Sequence, residues 1–159
     1  MSMKKEVVLV LYNIRSAGNV GSIFRTANCA GVLKIFLVGV TPSPIDRFGR
    51  IRKDISKVAL GAEKNVLWEN VGKIEPLLAR LKKDGFKIVA LEQDKRSVDY
   101  KKFKLKTKAA IILGEEVHGL AEKILKKCDK IIEIKMTGKK ESLNVSVAVA
   151  VALFGILGV

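Results

Sequence analysis

The sequence predicts an α/β fold, a mostly parallel sheet flanked by helices. Short apolar segments of strand type alternate with segments in which apolar residues recur at helical spacing. This alternation is typical of parallel sheets that carry helices on both faces. The chain has 159 residues, 48% of them hydrophobic, and no internal repeat or linker interrupts it. Residues 1–159 are therefore predicted to form a single domain with a substantial core.

The predicted elements follow from these patterns in chain order. Strands are predicted at 7–11, 35–38, 66–68, 87–91, 109–113 and 130–134, where short apolar runs occur. The first helix is predicted to follow Asn19 as its N-cap and to end at Gly31, with Arg25 opposite its apolar stripe. Further helices are predicted at 53–60, 74–83 and 120–127, and loops at 41–50 and 92–102.

The apolar C-terminal segment leaves two structures equally open. Its valines at positions 145, 147, 149 and 151 alternate with small residues, which favours a strand, but a buried helix fits as well. The tail at 147–159 is shorter than the ~20 residues that span a bilayer. The apolar run after the N-terminus is too short for a secretory signal, and Cys29 and Cys128 have no metal-ligand spacing. We expect a cytoplasmic protein without a membrane segment or a metal site.

Charge points to a polyanionic partner. Lysine and arginine total 30 against 16 aspartate and glutamate residues, a net charge of +14. Many of these cations fall within the stretches 47–57, 101–108 and 123–130. Each stretch alone could be a solvated face, but together they suit contacts with a phosphate backbone.

Three distant segments combine small polar residues, glycine and charge near strand ends and helix starts. They are NIRSAGNVGSIFRTANCAG at 13–31, LGEEVHGL at 113–120 and IKMTGKKESLNVS at 134–146. In order and type they resemble motifs 1, 2 and 3 of the SpoU/TrmH-type RNA 2′-O-ribose methyltransferases of the SPOUT superfamily. The sequence departs from the family pattern at Lys135, where the family usually has proline. The resemblance spans nearly the whole chain.

This resemblance implies an architecture and a partner that residue patterns alone do not reach. It implies a C-terminal deep trefoil knot, a helix over residues 142–158, and a homodimer with the active site near the dimer interface. It also implies S-adenosyl-L-methionine as the cofactor and RNA as the substrate. The compact size of the chain and analogy slightly favour tRNA over rRNA. The alternative is a non-catalytic RNA-binding module that retains the fold. An ordinary Rossmann methyltransferase is disfavoured, because residues 13–18 lack the glycine-rich turn that follows its first strand.

The resemblance also assigns site residues. The catalytic group is predicted to comprise Arg25, Asn19, Glu116, Ser142 and Asn144, with Arg25 beside the acceptor ribose and Glu116 anchoring the arginine or the loop. The predicted cofactor-binding residues, acting largely through backbone groups, are Leu91, Gly114, Ile134, Met136 and Leu143. Core packing is the competing explanation for the apolar members, and an N-cap role for Asn19. His118, at a variable family position, is expected to occupy a surface turn.

Overall fold

The computed structural model describes residues 3–159 and contains a seven-stranded sheet within that range. The strands are β1 Glu6–Tyr12, β2 Lys34–Val38, β3 Leu67–Val71, β4 Lys87–Leu91, β5 Val98–Asp99, β6 Lys108–Leu113 and β7 Lys130–Glu133. Their spatial order is β3-β2-β1-β6-β4-β7-β5, and every neighbouring pair is parallel. The predicted α/β class is confirmed.

Helices cover both faces of the sheet. They are α1 Ala17–Ala30, α2 Lys53–Ala59, α3 Ala62–Asn65, α4 Ile74–Lys83, α5 Glu122–Leu125 and α6 Val145–Leu157, and a 3₁₀ turn spans Tyr100–Lys102. Successive strand side chains point to opposite faces. Leu9 and Ile111 therefore join one core with α1, α2, α3 and α6, while Val10 and Ile112 join the other with α4 and α5. Burial on both faces explains why the central strands are apolar without alternation.

The last strand of the chain lies between two strands that precede it in the sequence. β7 pairs with β4 on one side and with β5 on the other, while β6 lies between β1 and β4. Because all strands are parallel, their carboxyl ends meet at one edge of the sheet. The loops after β4, β6 and β7 consequently lie side by side there, where open α/β sheets bind ligands.

The start of the first helix differs from the prediction. Its N-cap is Ser16, whose Oγ accepts a hydrogen bond from the Asn19 backbone N–H at 3.1 Å. Asn19 lies inside the first turn. Both residue types are good caps, and the apolar stripe begins only at Val20, so the pattern pointed to the wrong one. The end at Gly31, with φ of 74°, is as predicted.

Three short elements escaped the sequence patterns. The predicted loop 92–102 contains β5 and the 3₁₀ turn, and α3 was not predicted. β5 has two residues and exists through its pairing with β7, which local sequence cannot reveal. Elsewhere the boundaries shift: β3 extends to Val71, and α5 is shorter than the predicted 120–127.

The C-terminal segment is a helix, as the family resemblance implied. Asn144 caps α6 by accepting from the Ser146 backbone N–H at 2.9 Å, and Gly158 ends it. Val149, Ala152, Leu153 and Ile156 are buried at helical spacing, whereas Val147 and Val151 are exposed. Within residues 3–159, no helix has both the length and the apolar character needed to cross a membrane.

Candidate active site

A cavity of about 700 Å³ opens at the carboxyl ends of β4, β6 and β7. Its walls come from three loops, which follow those strands at 91–93, 113–119 and 133–148. All five residues predicted to bind the cofactor line it: Leu91, Gly114, Ile134, Met136 and Leu143. Among the residues predicted to be catalytic, Glu116, Ser142 and Asn144 line it as well. Two of the three motif segments therefore meet in one concave site.

Gly114 is the residue that lets the second loop fold back on its own strand. A Cβ placed there would lie 2.6 Å from the Gly119 carbonyl carbon and 2.8 Å from the Gly119 oxygen. Because both atoms belong to the backbone, the loop could not yield without moving as a whole. A side chain at this position is therefore incompatible with the observed shape of the cavity wall.

Glu92 and Gln93 line the cavity and were not predicted. The Glu92 carboxylate accepts from the backbone N–H of Leu120 at 2.9 Å and of Gln93 at 3.0 Å. The Gln93 amide donates to the Glu141 carbonyl oxygen at 2.9 Å. Side chains from the β4 loop thus fasten both neighbouring loops. Their position directly after a predicted strand was the signal available in the sequence.

Motif 1 touches motif 2 through Asn19. Its amide nitrogen donates to Glu116 Oε1 at 3.2 Å. Glu116 was expected to anchor the arginine or the loop, and within residues 3–159 it makes no hydrogen bond to Arg25. The contact to Asn19 instead connects the cavity wall to the first turn of α1. Asn19 itself does not line the cavity.

Glu115, the neighbour of Glu116, organises the tip of the same loop. It accepts from the His118 backbone N–H at 2.7 Å, contacts the His118 ring, and lies 3.8 Å from the Arg15 guanidinium. The hydrogen bond from the His118 backbone is the main reason why the pKa of the Glu115 carboxyl lies below its ordinary value. His118 is exposed and belongs to this turn, the location expected for it.

Arg25 lies apart from the cavity wall within one chain. It is exposed on α1, and no carboxylate among residues 3–159 pairs with it. α1 packs against α6, whose N-terminal residues Asn144 and Val145 line the cavity. The close approach of α1 to α2 depends on Gly21, where a Cβ would lie 2.8 Å from the Ile55 carbonyl oxygen. Gly21, which belongs to the motif 1 segment 13–31, is thus explained by packing.

The cavity is acidic although the chain is strongly basic. Its lining contains five glutamates, Glu92, Glu115, Glu116, Glu133 and Glu141, against Lys140 as the one lysine or arginine. This balance favours a ligand that carries positive charge. The described residues include no group of three or more His, Cys, Asp or Glu side chains arranged to hold a metal ion.

Comparison with known proteins places these motifs in a family. The model of the SpoU rRNA Methylase family matches residues 6–154. A protein of Staphylococcus saprophyticus named as a TrmH family tRNA/rRNA methyltransferase is 30% identical over 151 residues, which are 95% of this chain and 58% of that protein. The tRNA (guanosine(18)-2′-O)-methyltransferase of Aquifex aeolicus is 29% identical over 151 residues, covering 95% of this chain and 68% of the enzyme.

A solved structure shares the fold. The AdoMet-bound rRNA methyltransferase from Sinorhizobium meliloti superposes with a TM-score of 0.84 and 24% identity, over 98% of this chain and 57% of that one. The resemblance carried by the three motifs is confirmed, and the fold family implies the predicted knot. The chain spans little more than half the length of the Staphylococcus relative.

Proposed function

Because the chain belongs to the SpoU methylase family, we propose that it transfers a methyl group from S-adenosyl-L-methionine to a ribose 2′-OH of RNA. The observation that carries the proposal is the cavity. It brings together the five residues predicted for the cofactor with Glu116, Ser142 and Asn144. Segments far apart in the sequence have no packing reason to expose small polar groups around one hollow, whereas a binding site requires it.

The cofactor fits the chemistry of this site. S-adenosyl-L-methionine supplies an activated methyl group on a positively charged sulfur. The acidic lining complements that charge, and the close backbone approach that Gly114 permits leaves room for a ligand against the loop. Backbone groups around Leu91, Ile134 and Met136 would hold the adenosine and methionine parts. The exposed polar groups of Ser142 and Asn144, at the N-terminus of α6, would face the acceptor.

The acceptor is the harder half of the reaction. A ribose hydroxyl is a weak nucleophile, so it must be oriented and its developing negative charge must be stabilised. Arg25 is the residue proposed for this task. A guanidinium group is a hydrogen-bond donor and a source of positive charge rather than a base. Asn19, held by Glu116, would keep the start of α1 in register with the cavity wall.

We propose that a second copy of the chain completes the site. Arg25 does not line the cavity of its own chain, and the neighbouring α6 exposes Val147 at 47% and Val151 at 38%. Those apolar side chains lie one turn apart on the same helix face. A homodimer that covers this face would bury them and add a second Arg25 to the surroundings of the cavity. Size-exclusion chromatography with light scattering tests this, since a monomer at micromolar concentration contradicts it.

Both tRNA and rRNA remain within the proposal, with tRNA favoured. One relative is named for guanosine 18 of tRNA and another for tRNA or rRNA. The net charge of +14 supports a nucleic-acid substrate of either kind. The second candidate, a non-catalytic RNA-binding module, would use the same basic surface but would have no need of the acidic cavity.

Two measurements test the proposal. Calorimetry should detect S-adenosyl-L-methionine binding, and radiolabelled methyl should pass to total tRNA or to rRNA stripped of protein. Nuclease digestion and mass spectrometry should then locate the methyl on ribose. Absence of cofactor binding at high micromolar concentration would favour the non-catalytic module. Label recovered on a base would contradict the assigned acceptor.

Arg25→Ala provides the mutational test. We expect methyl transfer to fall by about 100-fold or more, because stabilisation of the developing charge is lost. Cofactor affinity and thermal stability should stay near those of the wild type, since Arg25 is exposed and unpaired within residues 3–159. Lys83→Ala, an exposed cation at the end of α4 on the opposite edge of the sheet, is the matched control. Equal losses in the two variants would remove Arg25 from the mechanism.

A further inference from the structure

The loop that follows β2 displays an exposed aromatic ring among arginines. Phe48 is 65% exposed, and it is the one aromatic side chain in the exposed class among residues 3–159. The Arg47 guanidinium lies 4.8 Å and the Arg50 guanidinium 5.0 Å from the ring centroid. A single exposed apolar side chain needs no partner to explain it. The distinctive feature here is an exposed aromatic ring with two arginines against it, a combination found on surfaces that bind single-stranded nucleic acid.

The tip is rigidly built. Asp46 Oδ1 accepts from the backbone N–H groups of Phe48 at 2.8 Å and Arg50 at 2.9 Å, and Asp46 Oδ2 accepts from the Arg50 side chain at 3.0 Å. Gly49 turns the chain with φ of 78°, and Ile45 and Ile51 form an antiparallel bridge below it. The backbone at Phe48 is thus held in one conformation, so that binding there costs little loop-ordering entropy.

The surroundings of the ring are basic. Arg47 has no carboxylate partner within residues 3–159, and Arg52, Lys53 and Lys57 follow in the same stretch. An aromatic face with cations beside it is the chemistry that recognises an unpaired nucleotide. In this structure the two guanidinium groups lie over the ring, so a base would stack on the ring by displacing one of them toward a neighbouring phosphate. A base inside a duplex offers no free face, so the feature selects for a loop, a bulge or a single strand.

We propose that Phe48 is a stacking platform for an unpaired base of the RNA substrate, with Arg47 and Arg50 at the adjoining phosphates. This inference rests on the proposed function for the identity of the RNA as substrate. The loop lies at the same sheet edge as the cavity. β2 and β4 are separated by β1 and β6, so the strands that carry the loop and the cavity wall are roughly 14 Å apart across the sheet. The stacked base is therefore a different nucleotide from the one that is methylated, and the loop selects RNA structure rather than the reacting group.

The test compares two fluorescein-labelled RNAs with equal numbers of phosphates, a single-stranded oligouridine and a blunt duplex, by fluorescence anisotropy. For Phe48→Ala we expect affinity for the single strand to fall about tenfold, and affinity for the duplex to change less than twofold. Leu67→Ala removes another exposed apolar side chain, 70% exposed on β3, and should change neither. Phe48→Trp should retain binding, and its added indole fluorescence should be quenched by the single strand.

Arg47→Gln separates the charge from the stack. Arg47→Gln should weaken the binding of both RNAs and reduce the magnitude of the slope of log affinity against log salt concentration by about one. Phe48→Ala should leave that slope unchanged. Wild-type affinity of Phe48→Ala for the single strand, or an equal loss for both RNAs, overturns the inference. Cofactor binding and methyl transfer by the wild type are measured in parallel. If the wild type neither binds the cofactor nor transfers methyl groups, while Phe48→Ala still loses affinity for the single strand, the proposed function is wrong and the stacking contact with RNA is retained.

Discussion

Two regions at one edge of the sheet use the same device for opposite purposes. In both, a side-chain carboxylate in the loop after a strand accepts hydrogen bonds from backbone N–H groups. Glu92 accepts those of Gln93 and Leu120, and Asp46 accepts those of Phe48 and Arg50. Around Glu92 three loops close on each other and leave an acidic hollow. Around Asp46 a single loop projects into solvent and carries arginines outward.

The difference lies in what each carboxylate connects. Leu120 is 28 residues from Glu92 in the sequence, so its hydrogen bond joins separate loops, whereas the bonds of Asp46 stay within four residues. A substitution that breaks one long-range hydrogen bond should therefore disturb all the loops around the cavity. A substitution that breaks a local hydrogen bond should disturb only the loop around Asp46. Separation of an acidic cavity from a basic loop would also keep the proposed cationic cofactor and the proposed polyanionic substrate from competing for one surface.

The largest effect is expected at Gly114. Gly114→Ala places a methyl group 2.6 Å from the Gly119 backbone, so the whole loop 114–119 must shift. We expect cofactor binding to fall below detection and methyl transfer to drop by about 100-fold or more, because displacement of a reactive group by about an ångström has that cost. Calorimetry and the transfer assay measure the two losses.

Gly138→Ala is the matched control for that substitution. It lies in the loop between β7 and α6, and a Cβ there meets nothing within 4 Å. Near-normal cofactor binding is expected. A variant of Gly114 that binds cofactor like the wild type would mean that the cavity is not the cofactor site, or that its wall is far softer than the contacts indicate.

The comparison also explains what the sequence could predict. The central strands and α4 have strong local patterns, and the structure has them within a few residues of the predicted positions. β5 and α3 were missed because each is too short to carry a pattern, and β5 depends on a partner strand that comes later in the chain. Asn19 was misplaced as a cap because two capping residue types stand close together before Val20.

The candidate site divides in the same way. Resemblance located the lining residues Gly114, Ile134 and Met136, because motifs record residue type and order. Glu92 and Gln93 were not found, since their importance comes from hydrogen bonds to loops far away in sequence. The valine alternation before Val151 could not decide between strand and helix, because burial on a helix depends on the packing against α1.

A smaller effect is expected at Glu92. Glu92→Gln keeps the size of the side chain but leaves one acceptor oxygen for two backbone N–H groups and removes a negative charge from the cavity. We expect cofactor affinity to fall about tenfold, the scale of one lost charge-assisted hydrogen bond. Calorimetry gives the affinity, and a thermal melt shows whether the fold has weakened.

Glu141→Gln sharpens the interpretation of that result. Glu141 also lines the cavity, but its side chain is 77% exposed and its structural contact to Gln93 uses the backbone oxygen. It loses the same charge without loosening a loop. If both variants lose affinity equally, the charge of the lining matters and the tie between the loops does not.

The smallest effect on the cavity is expected from changes at Asp46, whose hydrogen bonds all stay within its own loop. The backbone N–H of Arg50 is the main cause of the lowered pKa of the Asp46 carboxyl, which lies below 3.8. A depressed carboxyl pKa means that the charged form stabilises the loop above the unfolded pKa, and that this stabilisation is lost as pH falls through the lower, folded value. Near neutral pH the loop is therefore fully formed.

An NMR titration should show the Phe48 and Arg50 amide signals moving together below pH 3.8, while amides of the cavity loops stay independent of that step. Asp46→Asn should abolish the movement and leave cofactor affinity unchanged. The Leu120 amide is bonded to a carboxylate of its own, Glu92, so its titration is compared between the wild type and Asp46→Asn. A change in the Leu120 titration caused by Asp46→Asn would contradict the separation of the two regions, because it would show that the local loop and the long-range cavity respond as one unit.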